Sequence, residues 1–471
     1  MNINNKEKES RLEEFTKNPK KALWTLSLPM MLGMSVQAIY MLADTAFVGR
    51  MIVDNKNTDF IENGGALASL GYVFPFLFII MGIAFGLGSG ATTIIAQFIG
   101  SKDKNNADNA AEHTILLGII IGIIISSIGF YYGDKLLGMQ GADENTIKMA
   151  LDYFYIMAGG SIFVVLSVFF RSILSGEGEM KFPMIIMGLG TVLNIILDPF
   201  LIYHYQIKGA AIATVISQAL VTFAFIYFLL FRHRSYVTFN LMNFKFNFDI
   251  LRDIFRVGVP ASLSMVIMSM GVMLFNTILG SSQTVPAYKA VAAYQTAGRI
   301  EHFFFLPIIS IATSLVTLAG MFYGAKRIDL IRKMIKYGIS RSVIISLSFS
   351  LFFFFFSDKI IPIFTDDPQI IELTIFYFSI MVFAYPFITI GMTSSRIMQG
   401  MGYAYPMLIL TLLRVVILSA SLAWYFVIIL EKPVHWAWYG TLISCIITAL
   451  VSITWLWKII QQSVKSTLAM D

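Results

Sequence analysis

Long apolar segments, separated by short charged or Gly/Pro-containing breaks, run along almost the whole chain. Each segment is long enough for an α-helix that crosses a bilayer core of about 30 Å, which takes roughly 20 apolar residues. The pattern predicts six helices in the first half, near 22–48, 65–99, 111–132, 148–172, 181–204 and 208–231. It predicts six more in the second half, near 251–280, 286–323, 333–356, 370–398, 403–429 and 434–460. The expected fold class is therefore an all-α integral membrane protein with twelve transmembrane helices.

The composition excludes several classes of protein. Of the 471 residues, 57% are hydrophobic and 13% are charged, which is more apolar surface than a soluble fold of this size can bury. Soluble enzymes and nucleic-acid-binding proteins are therefore excluded, and membrane lipids are the expected surroundings. The single cysteine, Cys445, cannot form an internal disulfide, and no Cys/His cluster in the sequence has the spacing of a metal site.

Basic residues concentrate on one side of the predicted topology. With the N-terminus inside, the cytoplasmic segments hold 24 of the 34 Lys and Arg residues and the outer segments hold 8. Because Lys and Arg stay on the cytoplasmic side, both termini are expected there, in a multi-pass protein of the inner (plasma) membrane. Residues 1–21 then form a cytoplasmic N-terminal segment, 232–250 a cytoplasmic linker and 461–471 a C-terminal tail.

Three short sequences recur in the same order in the two halves. RSILSGEGEMKFPM, which starts at Arg171, resembles RIMQGMGYAYPM, which starts at Arg396. AQFIGSK at 96–102 resembles GMFYGAK at 320–326, about 224 residues later. The dipeptide LP at 28–29 has a counterpart, VP, at 259–260 in the second half. The repeat predicts two six-helix lobes, 22–231 and 251–460, related by pseudo-two-fold symmetry. Such repeats are typical of secondary transporters.

Polar residues in the first half meet at one predicted depth. Asp44 lies in the first helix, on the order of 9 Å from its outer end, and Asp198 lies in the fifth with Asn194 one turn earlier. Tyr153 and Thr214 lie at similar outer depth on the fourth and sixth helices. These oxygens suit a proton or Na⁺ better than a softer metal ion.

Each of these residues also has a structural interpretation. Asp44 could be a neutral acid bonded to a backbone carbonyl, although ionisable groups in membrane helices are functional by default. Asp198 precedes Pro199 and could satisfy backbone groups freed by a kink. Pro29 is a candidate hinge in the first helix, and it could equally be an ordinary proline near a helix start.

The eighth helix carries the deepest charges of the second half. Arg299 and Glu301 are two residues apart and so do not face each other, which means that their partners must lie on other helices. Glu301 or His302 could contact an ion or a substrate, or the group could be a structural polar cluster. Arg414 in the eleventh helix is the other deep basic residue.

Three motifs in the first half resemble those of a known family. ADTAFVGR at 43–50, NIILD at 194–198 and KGAAIATVISQ at 208–218 are similar to the multidrug and toxic compound extrusion (MATE) transporters. The resemblance implies a coupling-cation site, for H⁺ and also for Na⁺, at Asp44, Asn194, Asp198 and Thr214. It further implies that Tyr153 and Gln37 line the polar cavity of the N-lobe and that Pro29 bends the first helix.

The chain departs from one branch of that family. The branch resembling NorM carries extra carboxylates in the seventh and tenth helices, whereas here the seventh offers Asn276 and the tenth has none. The chain therefore looks closer to the DinF branch, and its C-lobe candidates for substrate or ion contact are Asn276, Arg299 and Glu301.

The expected function is secondary active antiport. An inward H⁺ or Na⁺ gradient would drive the export of bulky, often cationic or amphiphilic drugs or toxic metabolites, without a cofactor, without catalysis and by a monomer. Two alternatives stay open. A lipid-linked oligosaccharide flippase of the same superfamily would need several cavity arginines, and a membrane-embedded transferase using His302 would need a positioned partner for it.

Overall fold

The structure is a computed structural model that describes residues 4–51, 65–139, 144–231, 235–239, 244–282 and 284–468. Side chains are described for 11–39, 69–139, 146–229, 235–239, 244–282 and 284–465. The helices of the first half are α1 (Asn4–Lys17), α2 (Pro19–Met51), α3 (Gly65–Gly100), α4 (Lys104–Gly138), α5 (Glu144–Gly176), α6 (Lys181–Tyr205) and α7 (Ile207–Ile226). Those of the second half are α8 (Phe248–Gly280), α9 (Ala287–Gly324), α10 (Ile328–Ile360), α11 (Pro368–Gly400), α12 (Tyr405–Ile429, with two π-helical stretches) and α13 (Trp436–Leu468).

The twelve helices α2–α13 each contain a segment long and apolar enough to span a bilayer, which confirms the predicted fold class. Most extend beyond the predicted bounds: the predicted helix at 111–132 is Lys104–Gly138. The predicted bounds follow the apolar runs, whereas each helix continues through polar residues at its ends, where caps satisfy its terminal amides. Asp103, for example, caps α4 by accepting the amide of Asn106 at 3.1 Å.

Matching backbone conformations confirm the internal repeat. Lys102 and Lys326 end their helices with φ of 60° and 56°, although neither residue is glycine. Gly178 and Gly402 have φ of 80° and 91° after another pair of related helices, α5 and α11. The left-handed region is uncommon for a side chain such as that of lysine, so its recurrence at both copies of a motif indicates duplication rather than chance.

The described chain divides into two compact units. One contains residues 29–95 and 103–255, and the other contains 1–28, 96–102 and 256–471. In the first unit α5 packs against both α4 and α7, and in the second α11 packs in the same way against α10 and α13. Both patterns follow from the repeated sequence, because equivalent helices bury equivalent apolar faces.

The end of α3 belongs to the second unit because of a very close backbone approach. A Cβ added to Gly324 would lie 2.0 Å from the carbonyl oxygen of Gln97, so only glycine fits there. The side chain of Gln97 donates from Nε2 to the carbonyl oxygen of Gly400 at 2.9 Å. Near the chain start, the indole of Trp24 donates to the hydroxyl of Tyr337 at 2.9 Å, which holds the beginning of α2 to α10.

The linker after α7 is held by one buried carboxylate of the first unit. Glu177 follows α5 and accepts the hydroxyl of Ser235 and the amides of Tyr236 and Val237, the latter two at 2.9 Å each. A buried carboxylate needs such donors in place of water. The short sequence after Arg171, which the repeat singles out, therefore also anchors the linker.

Candidate functional site

The fifth membrane helix, α6, carries the best-placed pair of polar residues in the first unit. Asn194 and Asp198 lie one turn apart and are 3% and 0% exposed, so both side chains point into the protein and not into lipid. Among the described residues, the side-chain amide nitrogen and oxygen of Asn194 have no hydrogen-bond partner. A buried amide without a partner is costly, so this point of the lobe is suited to receive a polar ligand.

Small residues bring the neighbouring helices to this pair. A Cβ on Gly209 would lie 2.0 Å from the carbonyl oxygen of Leu201, which fixes the tight turn between α6 and α7. A Cβ on Gly160 would lie 2.2 Å from the side chain of Val215, so α5 and α7 meet beside Thr214. Tyr153 is buried in an apolar core with residues of α6 and α7.

The remaining first-unit candidates lie on α2. Asp44 is in this helix, but its side chain lies outside the described residues. Gln37, two turns earlier, has an exposed side chain. Pro29 lies inside the helix, and the boundary between the two compact units falls between Leu28 and Pro29. The residue predicted to be a hinge therefore lies where the contacts of α2 change from one unit to the other.

The second unit places Glu301 at the centre of a tyrosine pair. The carboxylate accepts the hydroxyl of Tyr377 at 2.8 Å and that of Tyr385 at 2.7 Å, and both phenols belong to α11. The partners of Glu301 thus lie on another helix, as its spacing from Arg299 predicts. Arg414 lies within electrostatic range of Glu301 and supplies an opposite charge.

A small cavity adjoins this carboxylate. Its volume is about 10 Å³, close to the space that one water molecule needs, and its lining includes Glu301, Tyr385 and Ser346. The hydroxyl of Ser346 is buried and, among the described residues, has no hydrogen-bond partner. The cavity therefore lies where α9, α10 and α11 meet, and most of the side chains that line it are Phe or Ile.

The other second-unit candidates lie on a different face of α9. The side chain of Gln295 donates from Nε2 to Oδ1 of Asn276 at 3.0 Å, which joins α8 to α9. Arg299 and His302 follow on the same helix with exposed side chains. Neither residue takes part in an ion pair within the described ranges.

Sequence reasoning missed Tyr377, Tyr385 and Gln295. Tyr377 and Tyr385 are eight residues apart, a spacing that puts them near one face of α11 two turns from each other. Gln295 lies four residues before Arg299, so an i,i+4 search for polar pairs would have found it.

Oxygen atoms dominate the described polar sites. The searched residues contain no group of three His, Cys, Asp or Glu side chains that could hold a metal ion. The predicted cation residues offer carboxylate, amide and hydroxyl oxygens, which are the ligands of a proton or of hard cations such as Na⁺.

Comparisons with known proteins agree with this architecture. The MatE family model matches residues 29–200 and 260–425, more than half of the chain, and its two matched segments begin at Pro29 and Pro260. The chain is 25% identical to the "Probable multidrug resistance protein NorM" of Thermotoga maritima, over 91% of this chain and 90% of that protein. It is 26% identical to the "Multidrug export protein MepA" of Staphylococcus aureus, over 87% of this chain and 88% of that protein.

A solved structure extends the likeness to three dimensions. It is described as the outward-facing conformation of a multidrug resistance MATE family transporter of the MOP superfamily, and it superposes with a TM-score of 0.87 at 31% identity. The match covers 95% of this chain and 97% of the other. With both matched segments, twelve membrane helices and the repeat in agreement, this chain belongs to the MATE family.

Proposed function

We propose that this protein is a secondary active antiporter that exports bulky, often cationic or amphiphilic compounds in exchange for H⁺ or Na⁺. The observation that carries the proposal is Asp198, a fully buried carboxylate within a membrane-spanning helix, one turn from the amide of Asn194, which has no hydrogen-bond partner among the described residues. Relatives with nearly full-length similarity are named as multidrug resistance and export proteins, which supports the substrate class. We assign no catalysis and no cofactor to the chain.

The buried carboxylate provides a physical basis for exchange. A proton or Na⁺ at Asp198 neutralises its charge and lowers the free-energy cost of keeping the group away from water. The conformation that dehydrates the site is then favoured, and a compound that binds this conformation less well is released. A coupling free energy of about 1–3 kcal/mol between ion and compound changes the affinity for the compound roughly 5- to 150-fold, which is enough for antiport.

The proposal is tested with purified protein in liposomes. A pH gradient and a Na⁺ gradient are imposed separately, and the movement of ethidium, a bulky organic cation, is followed by its fluorescence. We expect at least one of the two ion gradients to drive ethidium across the membrane in the direction opposite to the ion. This movement should stop when nigericin or monensin collapses that gradient. Protein-free liposomes are the control. Folded protein that moves no ethidium under either gradient contradicts the proposal.

Pro29 is proposed as the hinge that α2 uses during exchange. Proline removes one backbone hydrogen bond from a helix interior, a change that costs about 3 kcal/mol relative to alanine. Pro29→Ala restores that hydrogen bond and should therefore favour a straight α2. We expect the rate of ethidium export to fall by about five- to ten-fold, because a change of about 1.4 kcal/mol in an activation free energy changes a rate ten-fold. Pro75→Ala in α3 changes another interior proline and is the matched control. Equal effects of the two substitutions would argue against a specific hinge in α2.

The cellular setting belongs to the same proposal. The excess of Lys and Arg in the predicted inner segments supports a plasma-membrane protein with both termini in the cytoplasm. We propose that the monomer is the transporting unit, with membrane lipids around it and small-molecule drugs or toxic metabolites as its partners. The closer relation to the DinF branch stays a prediction.

A further inference from the structure

One face of α9 is polar at membrane depth. Gln295, Arg299 and His302 are spaced by four and three residues, which places them within one narrow strip of the helix surface. Glu301 lies on another face and is held by the tyrosines of α11. The strip therefore has no part in the tyrosine-bonded carboxylate group.

Arg299 lies deep in the span, and no described residue forms an ion pair with it. It is ten residues from Lys289, which pairs with Asp367 at 2.9 Å at the start of α11. Ten helical residues correspond to about 15 Å, more than an arginine side chain can reach. In the described ranges no carboxylate forms an ion pair with Arg299, although its side chain is exposed.

An exposed guanidinium at this depth is not suited to contact with lipid chains. A charge in the hydrocarbon core costs at least about 2.5–3.5 kcal/mol, and charged side chains in membrane helices accordingly face protein or a water-filled cavity. The other deep arginine of this unit, Arg414, has Glu301 and the thiol of Cys445 within electrostatic range. Arg299 is thus a deep positive charge of this unit that no negatively charged side chain among the described residues balances.

The neighbouring amides add further donors beside Arg299. Gln295 lies one helical turn before Arg299 and donates to Oδ1 of Asn276 on α8, so the amide N–H groups of Asn276 stay available beside Gln295. A guanidinium and an amide together present several N–H donors and no negative charge. Such a set matches the oxygens of a carboxylate, with which arginine forms short, charge-assisted hydrogen bonds.

We propose that Arg299, supported by Asn276 and Gln295, is a subsite for the carboxylate of transported compounds. The inference rests on the proposed export function and predicts that, among its substrates, zwitterionic compounds, which carry a carboxylate beside a bulky cationic or apolar body, bind more tightly than plain cations. The deep acidic residues of the first unit, Asp44 and Asp198, are left to the coupling ion.

The test compares two dyes that differ in one group. Rhodamine B carries a free carboxylate beside its cationic ring system, and its ethyl ester is a cation without that carboxylate. Dissociation constants for both dyes are measured by fluorescence polarisation on purified protein. We expect the wild type to prefer the acid and Arg299→Gln to reduce the acid-to-ester affinity ratio by about five- to ten-fold or more, as loss of a charge-assisted bond predicts. Arg299→Lys should retain part of the preference.

The matched control is Arg332→Gln, which removes an exposed arginine near the start of α10. It should keep the wild-type affinity ratio. An Arg299→Gln protein that is monodisperse and keeps that ratio would overturn the inference, as would a wild type that does not prefer the acid. Gradient-driven movement of the ester in liposomes decides the export function separately. If the ester moves and the ratio is insensitive to Arg299, only the anion subsite is wrong; if the ratio responds and neither dye moves, the subsite stands and the export function is wrong.

Discussion

Asp198→Asn should abolish gradient-driven export while the protein still folds and inserts. Asparagine has nearly the size of aspartate and keeps polar atoms beside Asn194, so the packing of α6 changes little. It cannot take up or release a proton, and it has lost the negative charge that balances Na⁺. Because exchange needs a group whose charge changes with ion binding, ethidium export from cells and liposomes should fall to the level of the empty control. Asp44→Asn should have the same effect.

The matched control for this substitution is Asp152→Asn. Asp152 pairs with Lys208 at 3.2 Å on the same lobe, and its side chain is 41% exposed. Exposed ion pairs contribute about 0–1 kcal/mol, so this variant should export and unfold like the wild type. Full drug resistance in cells that carry Asp198→Asn, at normal expression, would show that Asp198 is not the coupling group.

The membrane fold could be predicted because the bilayer imposes a simple rule on the sequence. Each spanning helix must be apolar over about 20 residues, and this constraint leaves a signal in the sequence whatever the packing. The repeat was also detectable, since AQFIGSK and GMFYGAK end equivalent helices, and the structure gives Lys102 and Lys326 the same unusual backbone conformation. Helix ends were less predictable. They depend on caps such as Asp103 and on headgroup depth, neither of which is encoded in an apolar run.

The candidate sites were predictable to different degrees. Asn194 and Asp198 share one helix, so their spacing alone places them on one face and the structure shows both buried. Tyr377 and Tyr385 could not be singled out from the sequence, because the chain has 20 tyrosines among many other aromatic residues. Which tyrosine hydroxyl bonds to Glu301 depends on the register of α9 against α11. That register is fixed by tertiary packing, which a single sequence does not show.

Glu301→Leu should destabilise the second unit strongly. The substitution removes the acceptor of two buried phenols and the charge that faces Arg414. Each buried donor left without a partner costs about 1–3 kcal/mol, so the melting temperature in detergent should fall by roughly 5 °C or more. Glu301→Gln keeps one acceptor oxygen and should lose less. Melting is followed by size-exclusion chromatography of the heated protein.

The cause can be separated from a general loss of packing by removing the donors as well. If orphaned phenols are responsible, adding Tyr377→Phe and Tyr385→Phe to Glu301→Leu should recover part of the lost stability, although each change alone removes a hydrogen bond. The recovery should be incomplete because Arg414 still lacks its opposite charge. The opposite outcome is a triple variant that is less stable than Glu301→Leu by the sum of the losses that Tyr377→Phe and Tyr385→Phe cause alone. It would mean that the hydrogen bonds to Glu301 do not stabilise this part of the lobe.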